Sequence, residues 1–110
     1  MKLAIIGSRS YCDKQAFGTH MDKWFPSGHW PTEIISGGAA GADSLGAEWG
    51  MTRNIRTTIF RPDWDKHGKR AGFIRNKDII NAAEAVIAFW DGGSKGTKHS
   101  INLAYEQRKP

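Results

Sequence analysis

At 110 residues, with 39% hydrophobic and 25% charged side chains, the chain is sized for one domain around one core, and its composition excludes a disordered segment. Lys and Arg number 16 against 11 Asp and Glu, a net charge of +5 that favours anionic partners, either phosphorylated small molecules or nucleic acid. No apolar run approaches the roughly 20 residues that a membrane-spanning helix needs, and a single cysteine, Cys12, excludes an internal disulfide, so a reducing, cytoplasmic setting is expected.

Leu3-Ala4-Ile5-Ile6 is apolar throughout and stops at Gly7, the pattern of a parallel strand buried on both faces. It is too short for the core of a signal peptide. Gly7-Ser8-Arg9-Ser10 follows, with hydroxyls that cap or bind and a guanidinium whose planar fork suits phosphate or carboxylate. Residues 13–24 carry Ala16, Phe17, Met21 and Trp24 at helical spacing behind a capping Asp13, and predict an amphipathic helix with Phe17, Met21 and Trp24 facing the core. Residues 25–32, with Pro26, Gly28 and Pro31, form a loop.

Residues 33–45 hold the central pattern. Ile34-Ile35 ends a second strand at Ser36-Gly37-Gly38, and after Ala39-Ala40-Gly41-Ala42 a helix begins near Asp43 and runs to Met51. A strand, a glycine turn and a helix start make a cradle for an anion, because glycine lets the backbone approach a ligand and the first amides of a helix have no partner within it. A third strand spans residues 55–60 and ends at Arg61-Pro62-Asp63-Trp64, since proline cannot continue a central ladder. A basic linker with Lys66, Lys69 and Arg70 leads to a helix over residues 71–83, with Arg75 and Asn76 near its start. The fourth strand, residues 85–90, is again apolar throughout; it breaks at Asp91-Gly92-Gly93-Ser94-Lys95-Gly96-Thr97, before a last helix over residues 97–107.

The alternation predicts a Rossmann-like three-layer α/β/α domain with a small, mainly parallel sheet of four to five strands. Ligands of such sheets bind at the carboxyl ends of the strands, where the strand order reverses. That rim would carry Gly7, Ser8 and Arg9, then Ser36, Gly37 and Gly38, then Pro62, Asp63 and Trp64, then Asp91, Gly92, Gly93, Ser94, Lys95, Gly96 and Thr97. Neither the GxGxxG spacing of dinucleotide dehydrogenases nor the GxxxxGK[ST] of P-loop enzymes is present. His20, His29, His67 and His99 lack paired ligand spacing, which argues against a structural zinc site. A magnesium ion beside a phosphate at Asp91 is compatible with the pattern.

The same residues, Gly7-Ser8-Arg9, Ser36-Gly37-Gly38-Ala39 with Gly41-Ala42-Asp43, Pro62-Asp63-Trp64 followed by Lys69, Gly72 and Arg75-Asn76, and Phe89-Trp90-Asp91-Gly92 with Ser94-Lys95-Gly96-Thr97, closely resemble the YspA-like branch of the SLOG superfamily. The resemblance implies a nucleotide-binding domain related to the LOG phosphoribohydrolases, to the DNA-processing protein DprA and to sensors of NAD-derived signals. It implies ligand contacts by the rim residues together with Ala39, Gly41, Asp43, Lys69, Arg75, Asn76 and Trp90. The LOG motif PGGxGTxxE has its glutamate at the place of Ser100, which argues against hydrolysis by that route.

Three functions compete. A binding module would hold a phosphorylated nucleotide, an ADP-ribose or NAD-derived signal among them, with Trp64 or Trp90 stacking on the base. An N-glycosidic hydrolase acting on a nucleoside monophosphate or NAD-type substrate would use Asp43, Asp63 or Asp91 as acid or nucleophile. A single-stranded DNA or RNA binder would use the basic segment from Lys66 to Lys77. Edge strands on so small a sheet favour a homodimer or homotetramer.

Overall fold

The computed structural model describes residues 1–38, 40–90 and 95–107. Four strands, β1 Lys2–Gly7, β2 Glu33–Ser36, β3 Arg56–Ile59 and β4 Ala85–Phe89, form one sheet. All neighbours are parallel, in the order β3-β2-β1-β4. The helices are α1 Lys14–Trp24, α2 Ala42–Thr52, α3 Trp64–His67, α4 Ala71–Ala82 and α5 Lys95–Glu106. This is the Rossmann-like α/β fold.

β1 is apolar throughout because both of its faces are covered. Leu3 and Ile5 pack with Phe17 and Met21 of α1 and Trp49 of α2 on one face. Ala4 and Ile6 pack with Ile79 of α4, Ala83 and the half-buried Ile101 of α5 on the other. The chain steps from β1 to β2 to β3 with α1 and α2 on the first face. It then jumps back past β1 to β4 with α4 on the second, as right-handed crossovers require. The strand order therefore reverses between β1 and β4, and their carboxyl ends open a crevice there. Among the described residues no helix is long and apolar enough to cross a membrane.

Three local expectations are corrected. β4 is an edge strand, with Ala88 exposed, although its apolar sequence reads like a central one. Trp24 is 52% exposed and stacks on His20 instead of facing the core; Phe25, the residue after α1, packs against the core beside Trp49. The basic linker is ordered into α3 and a 3₁₀ turn, Gly68–Arg70. Asp63 caps α3 by accepting from Lys66 N at 3.1 Å. One helical turn carries no hydrophobic period, so only the cap foreshadows it.

Candidate functional site

The crevice is built by close backbone approach. Ser8 N–H donates to Phe89 O at 2.9 Å, extending the β1–β4 ladder by one step. A Cβ at Gly7 would lie 2.5 Å from Ala42 Cβ and nearer still to Phe89 O. Gly41 has φ +80°, and its missing Cβ would lie 2.6 Å from Arg9 O and nearer still to Ser8 O. The two glycines thus let the loop after β1, the end of β4 and the start of α2 meet. Ala42 N–H, at the head of α2, donates to Ser8 O at 3.3 Å.

The turn after β2 is tied internally. Ser36, fully buried, donates to Asp43 O at 2.9 Å and accepts from Gly38 N at 3.2 Å. A Cβ at Gly37 would lie 2.5 Å from Arg75 Nη1 and 2.7 Å from Asp43 Oδ2, so the bare glycine is what lets both side chains share this place. Two of the amides that the sequence offers to an anion, those of Gly38 and Ala42, are therefore engaged within the protein, and a guanidinium stands beside them.

Arg75 and Asn76, in the first half of α4, brace the rim. Arg75 Nη1 donates to Gly37 O at 2.8 Å and its Nε to Asn76 Oδ1 at 3.1 Å, while Asn76 Nδ2 donates to Gly96 O at 3.3 Å. These bonds join the turn after β2 to the head of α5. They engage two of the five N–H donors of the guanidinium, and the other three have no protein partner among the described residues. Burial pushes the Arg75 pKa below its ordinary value; Asp43 works against that shift, and Arg9 adds to it. A half-buried cation beside a second cation is relieved by an anionic guest.

Above this floor lies a cleft of about 390 Å³, lined by Gly7, Ser8, Arg9, Asp43, Arg75, Asn76, Gly96 and Thr97 from the sequence reading. Ser10, one of the hydroxyls read after the first strand, lines it too, while sequence reasoning missed Ile6, Ile79 and Ser100 as lining residues. Ser100 lies one helical turn beyond Gly96 and Thr97, a spacing that places it on the same face of α5. A shallower concavity of about 230 Å³ adjoins the cleft and shares Arg9 and Arg75 with it; Gly37, Gly38, Ala40, Arg61, Pro62 and Trp64 complete it. Arg61 was also missed, though it stands two residues after the end of β3.

Other expected residues stand apart. Lys69 on the 3₁₀ turn, Lys95 at the start of α5 and Trp90 after β4 are exposed and line neither concavity. Asp63 caps α3 and lines neither, so Asp43, only 7% exposed, is the one carboxylate among the described lining residues. Ala39, Asp91, Gly92, Gly93 and Ser94 lie outside the described residues. Among the described residues no group of three or more His, Cys, Asp or Glu side chains could hold a metal ion.

A parallel sheet with its order reversed at β1 and β4, and a cleft lined by cations and hydroxyls at that point, define a Rossmann-like domain. Residues 1–67 match the model of the YspA, cpYpsA-related SLOG family, YAcAr, and the chain belongs to that family. It is 31% identical over 115 residues to the Gene 61 protein of Mycobacterium phage D29, an alignment that covers 99% of this chain and 92% of the phage protein. Its fold is similar to that of DNA processing protein A from Helicobacter pylori, a structure described for its single-stranded DNA binding mode, with a TM-score of 0.76 and 24% identity. The likeness covers all of this chain and 63% of that one.

Proposed function

We propose that the cleft binds a phosphorylated nucleotide or a nucleotide-derived ligand. The observation that carries this reading is Arg75: a half-buried guanidinium, flanked by Arg9, with three N–H donors unengaged by described residues. Phosphate is one of the two common biological anions, with carboxylate, whose geometry matches that fork. Arg9, Arg75 and Asp43 sum to one positive charge, which a phosphate dianion more than neutralises. The volume falls within the usual range for small-molecule sites, about 300–1,000 Å³, and the lining hydroxyls of Ser8, Ser10 and Thr97 suit a sugar phosphate. Titration calorimetry with AMP is expected to give a dissociation constant of about 100 µM or tighter at low salt, weakening as salt screens the arginines. No heat from AMP, ADP or ADP-ribose would remove the proposal.

A second reading, single-stranded nucleic acid, is favoured by Trp64, 54% exposed beside Arg61 and Arg9 on the same rim, and by the fold shared with DNA processing protein A. Exposed aromatics and cations along a groove are what such binding uses. Retardation of a labelled oligothymidine, fading steeply with added salt, supports it; an unretarded oligonucleotide at low salt rejects it.

A further inference from the structure

The cleft and the shallower concavity are two lobes with one boundary. Arg9 and Arg75 line both, so a phosphate held between them has a cavity on either side. The outer lobe has the parts of a nucleoside site. Trp64 offers an exposed indole, anchored where α3 begins, and its Cη2 lies 3.8 Å from the point where a Gly72 Cβ would be. Gly37 and Gly38 line the lobe without side chains that would fill it. Arg61 adds a further cation to the lobe, its Nη1 3.2 Å from the position of a Gly38 Cβ.

Resting on the nucleotide reading above, we infer that the outer lobe is a second subsite with Trp64 as its stacking platform. The guest is then a two-part ligand: two nucleoside or sugar moieties joined through phosphate, with the bridge at Arg9 and Arg75. One half lies among Ser8, Ser10 and Thr97, the other against Trp64 and Arg61. That chemistry has two sources, a free dinucleotide such as ADP-ribose or one step of a single strand such as d(pTpT).

The test compares AMP, ADP-ribose and d(pTpT) by calorimetry on the wild-type chain and on Trp64→Ala and Trp64→Phe. Base stacking on an aromatic ring supports a gain of roughly tenfold or more, so at least one two-part ligand is expected to bind about tenfold tighter than AMP. Trp64→Ala should bring that ratio close to one, and Trp64→Phe should restore much of it. A gain confined to ADP-ribose assigns the subsite to a free dinucleotide; a gain confined to d(pTpT) assigns it to a strand. If AMP binds and neither two-part ligand gains, or the gain survives Trp64→Ala in a variant that melts like wild type, the second subsite is refuted while the nucleotide cleft stands. If none of the three binds, the nucleotide reading fails and the subsite with it.

Discussion

Arg75→Ala is expected to weaken AMP binding by roughly thirtyfold or more, about 2 kcal/mol, with only a modest loss of stability. Charge-assisted hydrogen bonds to phosphate contribute about 1.5–3 kcal/mol each, and the guanidinium presents its unengaged donors beside the cleft. The fold loses two bonds, from Nη1 to Gly37 O and from Nε to Asn76 Oδ1. An unmet carbonyl there costs about 1–2 kcal/mol, visible as a lower urea midpoint. Arg75→Lys keeps the charge without the planar fork and should fall between wild type and Arg75→Ala. Lys77→Ala removes an exposed charge from the same helix and is expected to leave affinity within about twofold. Equal losses in Arg75→Ala and Lys77→Ala would mean that only net charge matters.

The largest effect on stability is expected from Gly41→Ala. Its φ of +80° and ψ of −133° suit glycine alone, and the added methyl would enter the space held by Ser8 O and Arg9 O. Strain and overpacking together are expected to cost about 3 kcal/mol, or roughly 15 °C in melting temperature for a domain of this size. Gly18→Ala runs the other way. Gly18 lies inside α1 with nothing near its Cβ position, so alanine there should stabilise the fold by about 0.5–1 kcal/mol. Thermal melts of the two variants decide the point. Similar small shifts in both would show that the turn before α2 does not need glycine.

Gly41 also shows what the sequence could and could not convey. A glycine turn between a strand and a helix is plain in residues 33–45, and so is its place on the rim. The partners of that glycine are the carbonyls of Ser8 and Arg9, and no local pattern records a contact across more than thirty positions of chain. The elements themselves were legible because burial imposes a period. β1, β2 and α1 lie within a residue or two of their expected bounds.

Strand order is not periodic. The apolar run of β4 reads as central, yet it forms an edge half-covered by α5. The crevice needed that order to be located, whereas Gly7, Ser8, Arg9, Gly96 and Thr97 among its lining residues follow from the rule that sites gather at strand ends. Arg75 and Asn76 are the instructive pair. They sit on a helix that begins more than ten residues after the end of β3 in the chain, and the resemblance to a known family marked them where spacing alone gave only a position near a helix start. Trp24 and α3 escaped for a simpler reason: a final helical turn and a single isolated one give periodicity too little length to act on.

The most direct test of the central claim, that the anion seat lies where β1 and β4 part, is an amide and arginine side-chain NMR titration of the ¹⁵N-labelled chain with AMP. The expected result is saturable shifts at Ser8, Arg9, Asn76, Gly96 and Thr97 and at the Arg75 guanidinium, with the α1–α2 face around Lys14 and Arg53 unmoved. Saturable shifts confined to that opposite face, or none on the rim at millimolar AMP, would contradict it.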